Sequence, residues 1–291
     1  MIPGSFEYFS PQTLPEAVTL LQRYGEDAKV LAGGHSLIPL MKLRLAAPRY
    51  VVDLSRIDGL TYIRESEGFL RVGALTRHGD IETSDVIRSR YPLLADAARV
   101  IADPLVRNMG TVGGSLAHAD PAGDWGAALL AAGAHVVATG PRGGRTIPLD
   151  EFFVGTFTTA LQPDEILTEI GIPQSQKNSG GAYLKLERKV GDFAIAAVGV
   201  GLLLSSTGAC EQVGIGLCNV GPTSLRAGQA EQVLRGKKPD DATIARAAET
   251  AATESDPADD LRGPADYKRD MVRVLTARAL RLAVGRAKGG A

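Results

Sequence analysis

Cysteine is nearly absent: two occur in 291 residues, Cys210 and Cys218. They form no Cys-x-x-Cys pair, and two thiolates are too few for a four-cysteine iron–sulfur cluster, so any cluster chemistry belongs to another chain. An excess of either charge is also lacking, with 32 Lys plus Arg against 33 Asp plus Glu. That balance removes the electrostatic case for nucleic acid or an anionic membrane surface. No apolar run is long enough to span a bilayer. The longest, Phe193 to Leu204, stops well short of the roughly twenty residues required and reads as a buried strand. The N-terminus has no basic segment followed by an apolar core, so the expected location is the cytoplasm. The four histidines, His35, His78, His118 and His135, show no metal-ligand spacing, and no metal site is expected. Ser36 and Ser115 lack the strand–elbow–helix setting of a hydrolase nucleophile, and there is no glycine-lysine-serine phosphate loop. Gly199 and Gly201 sit in an apolar run without the third glycine or the later acid of a dinucleotide fingerprint. No catalytic side chain is expected.

What the chain does have is glycine in pairs. Val30-Leu-Ala-Gly-Gly-His-Ser-Leu-Ile-Pro39 is an apolar run that breaks into Gly33-Gly34 and resumes as a short helix. Met109-Gly-Thr-Val-Gly-Gly-Ser115 repeats the pattern, with a helix opening from Leu116 onward. Glycines let backbone amides approach a ligand with no Cβ in the way, and amides at a turn or helix start favour an anionic oxygen. Two such loops can clasp one pyrophosphate, or each can be a tight turn between core elements. Asp124 follows the second loop closely. Its carboxylate can accept from sugar or ribityl hydroxyls, or cap the helix from Trp125. Lys185 alternates with apolar neighbours and reads as a solvated strand lysine.

The length suggests about two domains. Thr13-Leu-Pro-Glu16 is a capping box opening a helix up to Gly25. A strand at Ala28 to Ala32, a helix at Leu37 to Leu43 and a strand at Tyr50 to Leu54 follow. Leu60 to Arg64 and Phe69 to Gly73 predict a hairpin, and Thr76 and Ser84 predict caps of short helices. Helices are expected at Pro92 to Ile101 and from Asp124 to near Gly133. A second hairpin, Val136 to Thr139 with Thr146 to Leu149, precedes a strand at Glu165 to Ile172. The polar stretch after Pro173 marks a linker. Beyond it, Tyr183 to Lys189, Ala194 to Leu204 and Val213 to Asn219 predict an antiparallel meander. Helices at Ala227 to Leu234, Asp241 to Thr253 and Ala265 to Val284 complete the chain.

Ala32-Gly-Gly-His-Ser36, Leu37-Ile-Pro-Leu-Met-Lys-Leu-Arg44, Ile101-Ala-Asp-Pro104, Thr111-Val-Gly-Gly-Ser115, Asp120-Pro-Ala-Gly-Asp124, Asp164-Glu-Ile-Leu167 and Lys185-Leu-Glu-Arg-Lys-Val-Gly-Asp192 occur in this order. Together they closely resemble the medium, FAD-binding subunits of aerobic carbon monoxide dehydrogenases. The likeness covers essentially the whole chain, and the flavin domain of xanthine dehydrogenases is similar more loosely. The resemblance implies an α+β fold. Two α/β lobes form an FAD-binding domain of the p-cresol methylhydroxylase type over residues 1–176 (lobes about 1–57 and 58–176). Residues 177–291 form a three-stranded antiparallel sheet with a C-terminal helical bundle.

The resemblance also implies roles for single residues. Ala32, Gly33, Gly34, His35 and Ser36, with Thr111, Val112, Gly113, Gly114 and Ser115, would hold the pyrophosphate of a non-covalent FAD, and Leu37 would also contact the cofactor. Asp124 would meet a hydroxyl of the cofactor, and Ile101, Leu167 and Lys185 would approach the flavin or its entrance. Phe193 stands where related subunits tend to carry an aromatic against the flavin ring, without the hydroxyl that a tyrosine would bring. The implied partners are a large molybdenum-binding subunit and a small subunit with 2Fe-2S clusters, in a dimer of heterotrimers. The implied function is electron transfer from those clusters through FAD to an external acceptor. The rival readings are a self-sufficient FAD-dependent oxidoreductase, which would need a substrate pocket that nothing marks, and a scaffold subunit without FAD.

Overall fold

The computed structural model describes residues 2–289. The first lobe holds β1 (Glu7–Phe9), α1 (Leu14–Tyr24), β2 (Ala28–Leu31), α2 (Leu37–Lys42) and β3 (Tyr50–Asp53). The Thr13/Glu16 capping box is formed as the sequence demands, with proline in the first turn of α1, an arrangement that contributes about 1 kcal/mol. Ala17, Val18 and Leu21 of that helix pack on β3, where Val52 is fully buried. The three strands pair in parallel in the order β1-β3-β2. β1 was not expected: three residues with exposed Glu7 and Tyr8 carry no alternation to detect.

The second lobe runs through β4 (Ile63–Ser66), β5 (Phe69–Gly73), α3 (His78–Thr83), α4 (Asp85–Arg90), α5 (Pro92–Val100), α6 (Pro104–Arg107), α7 (Val112–His118), α8 (Asp124–Ala131), β6 (His135–Gly140), β7 (Gly143–Pro148), β8 (Phe153–Gly155), β9 (Thr158–Thr159) and β10 (Ile166–Pro173). Its main sheet has the order β4-β5-β10-β6-β7. Ser84 caps α4 by accepting from the Ile87 amide. Thr76 does not cap α3, contrary to the sequence reading. Arg77 holds the cap position, where its amide donates to Asp80, while the Thr76 hydroxyl is drawn to the amide and carbonyl of Tyr62. A second correction concerns the later glycine pair. α7 opens at Val112 rather than Leu116, with Thr111 as its cap, so Gly113 and Gly114 belong to a helix turn and not to a loop.

The remainder comprises β11 (Ser179–Glu187), β12 (Ala194–Leu204), β13 (Cys210–Cys218), β14 (Leu225–Arg226), α9 (Gly228–Leu234), α10 (Asp241–Glu254) and α11 (Ala265–Ala287). The expected three-stranded sheet has a fourth strand, because β14 pairs antiparallel with β13 over two residues; so short a strand has no readable alternation. α11 covers one face of this sheet and α5 and α8 cover the other. Close contact with α8 explains four glycines of this sheet. A Cβ on Gly216 would lie 2.0 Å from the Ala127 carbonyl, and one on Gly214 would lie 2.2 Å from that of Ala131. Gly199 and Gly201 also face α8. An alanine-rich helix thus rests directly on a glycine floor, which brings Asp124 at its start beside β11. No helix among the described residues is long and apolar enough to cross a membrane.

Candidate functional site

The two glycine segments meet in space. A Cβ on Gly33 would lie 2.3 Å from the Met109 carbonyl oxygen and 2.7 Å from the Gly110 Cα. One on Gly114 would come within 3.6 Å of the Ala32 Cβ. Only glycine at 33 lets the first loop lie on the second backbone. Gly34 adopts φ +75° and turns the chain into α2.

Their hydrogen bonding differs. The amides from Ala32 through Leu37 meet no acceptor among the described residues, and the first loop-to-helix bond starts at Ile38, which donates to the Gly34 carbonyl. His35 spends its Nδ1 on the Gly33 carbonyl at 2.8 Å and leaves those amides free. In the later segment every amide of the first helical turn is engaged. Val112 donates to Thr76 O (3.0 Å), Gly113 to Ala74 O (2.9 Å) and Ser115 to Thr111 O (3.0 Å). Gly114 donates to Thr111 Oγ1 at 3.2 Å. The expectation that both segments offer amides is therefore corrected: the first does, and the second offers the Ser115 hydroxyl, which enters no hydrogen bond among the described residues.

The second segment is braced from behind. Gly113 packs on Ala74, where a Cβ would come within 2.5 Å of the Ala74 Cβ. Gly110 accepts from the His78 amide at 3.0 Å and lies against its ring. His78 is buried and its Nδ1 accepts from Trp125 Nε1 at 3.0 Å. Burial, with smaller repulsion from His35 and Arg107, lowers its pKa to about 4.

Beside Ser115 the chain turns through Gly123 into α8. Asp124 is not a helix cap: Gly123 holds that position, and no side chain caps the helix. The carboxylate turns inward instead. Its Oδ1 accepts from the Tyr183 hydroxyl at 2.9 Å and its Oδ2 from Lys185 Nζ at 2.9 Å. Lys185 also donates to Val100 O at 2.8 Å and lies 3.6 Å from Glu187. Burial raises the Asp124 pKa, and the Lys185 charge opposes it. The Tyr183 hydroxyl and the Cys218 thiol are both pushed well up by burial and then by Asp124.

Lys185 is thus no solvated strand lysine; its side chain is 2% exposed. Both faces of β11 are covered, with Leu184 and Leu186 on the α11 side and Tyr183 on the α5 and α8 side. An alternating pattern then no longer marks a wet face. The signal missed in the sequence was Tyr183, two residues before Lys185 and so on its side of the strand.

Ile101 ends α5 directly after Val100 and packs against the core cluster that contains Leu167. Leu167 itself is 5% exposed, at a bulge of β10. Phe193 lies just before β12 and is half exposed. Part of the candidate set therefore runs as a line, from Ala32–Leu37 across Gly114, Ser115, Asp124 and Lys185 to Val100 and Ile101, with Leu167 in the core beneath and Phe193 outside it. A cleft of about 570 Å³ lies elsewhere, between α5, the end of α8, β12 and β13, and contains none of them. No cluster of metal-ligating side chains occurs among the described residues.

Comparisons with known proteins point one way. The family described as "FAD binding domain in molybdopterin dehydrogenase" matches residues 4–175. The family described as "CO dehydrogenase flavoprotein C-terminal domain" matches residues 181–283. The carbon monoxide dehydrogenase medium chain of Hydrogenophaga pseudoflava is 45% identical over 98% of this chain and 99% of its own. Subunit alpha of the 6-hydroxypseudooxynicotine dehydrogenase complex of Paenarthrobacter nicotinovorans is 38% identical over 99% and 97%. A solved structure of carbon monoxide dehydrogenase from Hydrogenophaga pseudoflava, lacking the Mo-pyranopterin moiety of its cofactor, contains a chain with a TM-score of 0.96, 47% identity and coverage of 98% and 99%.

Proposed function

The chain belongs to the FAD-binding medium chains of the carbon monoxide dehydrogenase group of molybdenum hydroxylases, and from that premise we propose that it is the electron-transfer flavoprotein of a three-subunit complex. The chemistry that bound FAD supplies is acceptance and release of electrons, arriving from 2Fe-2S clusters of a small subunit that is fed by a molybdenum-binding large subunit. This chain's own residues bind and orient. In this reading residues 1–176 are a p-cresol methylhydroxylase-type FAD-binding domain and 177–291 a second domain that lends Lys185 to the site. The complex works in the cytoplasm as a dimer of heterotrimers.

One observation carries the reading: the free amides of Ala32 through Leu37, on a loop seated against the second glycine segment. Free amides on a glycine turn are what a pyrophosphate requires. The residues fit the group in three further respects. Each Asp124 oxygen has one donor, and a carboxylate has about four acceptor sites, so room for a ligand hydroxyl is left. Lys185 has one N–H left after Val100 and Asp124. Glu187 Oε2 is a buried acceptor with no hydrogen bond among the described residues. In this reading Ser115 donates to a phosphate oxygen, and Ile101 and Phe193 wall the ring.

The test is to co-express the chain with the products of its two neighbouring genes, isolate the complex, identify the flavin and compare substrate-driven flavin bleaching with that of the lone chain. FAD in the complex, bleached only there, is expected. A lone chain that bleaches as fast as the complex would make it a self-sufficient oxidoreductase, and a complex without flavin would make it a scaffold.

A further inference from the structure

Phe193 stands half out of the fold, 49% exposed, at the end of the segment joining β11 to β12. An aromatic ring serves as a wall only if its segment is held, and this one is gripped from two sides. On one side Gly191, at φ +84°, packs on Ala102, whose carbonyl oxygen would lie 3.0 Å from a Cβ there. Ala102 is itself fixed: Arg107 donates to the carbonyls of Ile101 (2.9 Å) and Ala102 (3.1 Å) and bonds Glu82 at 2.7 Å.

On the other side stands Arg262, from the segment between α10 and α11. It donates to Asp192 Oδ1 at 3.2 Å, and its guanidinium carbon lies 5.5 Å from the centre of the Phe193 ring. Asp192 is a hub, since Oδ1 also accepts from the Phe193 amide at 2.8 Å and Oδ2 pairs with Arg188 at 3.2 Å. The Phe193 amide first, and Arg262 after it, hold that carboxyl below the usual range. The Arg262 segment is anchored in turn by buried Lys268, bonded to Asp260 at 2.7 Å and to the Ala258 carbonyl at 3.1 Å. Arg262 Nε is buried with no partner among the described residues.

We propose that Arg262 is a positioning residue of the flavin site, which fixes Phe193 as a wall through Asp192 and the face of the ring. The proposal rests on the reading of Phe193 given above. No contact of Arg262 with the cofactor is needed. Its work is to keep the ring from swinging into solvent, where half of its surface already lies.

A double-mutant cycle on the intact complex, freed of flavin and titrated with FAD, tests this, with affinity and the visible circular dichroism of the flavin as readouts. Arg262→Ala should weaken FAD about fivefold and change the flavin dichroism, the scale of a lost cation–π contact with its ion pair. Arg262→Lys keeps the pairing with Asp192 and should restore part of both. With Phe193→Ala already present, Arg262→Ala should add nothing, because the two act as one unit. Independent effects that multiply, or a change in melting temperature alone, would overturn the positioning role and leave the site reading intact. Unchanged affinity and dichroism in Phe193→Ala would overturn the reading of Phe193, and the role of Arg262 with it.

Discussion

Gly33-Gly34 and Gly113-Gly114 read almost alike in the sequence, yet the first pair lies in a loop whose amides are free and the second lies in a helix turn whose amides are all engaged. The glycines of the first pair let two backbones touch and set a left-handed turn. Gly113 instead lets α7 lie on Ala74. In the proposed reading the first segment receives an anion, and the second is the frame it is received against. A glycine pair is evidence of close approach, and only the hydrogen-bond ledger around it says whether a ligand or the protein is the thing approached.

That division can be broken by substitution. The largest effect is expected from Gly33→Val, which forces the loop off the Met109 carbonyl. FAD affinity should fall by more than about a hundredfold, measured by titration of the flavin-free complex; retained occupancy would remove the first loop from the site. Next in size is Lys185→Met, which leaves Asp124 buried beside Tyr183 and Glu187 without its cation. Stability should drop by about 3–5 kcal/mol in denaturant unfolding, with and without flavin. A loss below about 1 kcal/mol would mean that water reaches the pair.

The frame should also show itself in pH dependence. His78 has a folded pKa of about 4 and stays neutral where the unfolded chain binds a proton. Stability should therefore be complete above about pH 6.5, fall as pH drops from there, and stop falling below about 4, with a total of up to about 3 kcal/mol. His78→Gln should flatten that slope without touching FAD affinity at pH 7; an unchanged slope would exclude His78 as its source. Gly113→Ala should cost about 1–3 kcal/mol of stability through its clash with Ala74, and alter affinity little. The smallest effect is expected from Ser115→Ala, about 1 kcal/mol in FAD affinity from one lost hydrogen bond, with the melting temperature unmoved.

Local rules made the outline of the fold legible. The Thr13 capping box, the Ser84 cap and the long apolar periodicities act within a few residues and survive unchanged into the structure. Features set by distant partners were hidden. Lys185 is buried because α5 and α8 close over one face of β11 and α11 over the other. Thr76 gives up its cap for Tyr62, fourteen residues away in sequence. At the site, glycine pairs and an acid nearby could be read, whereas which amides were spoken for could not, since Ala74 and Thr76 take that role only after the sheet has formed.

Peptide-resolved amide hydrogen exchange on the complex, with and without FAD, tests this division most directly. Fast exchange is expected at residues 32–37 without flavin and strong protection once it binds, while residues 112–115 are protected in both states. Fast exchange at 112–115 that slows on FAD binding, with 32–37 unchanged, would contradict it.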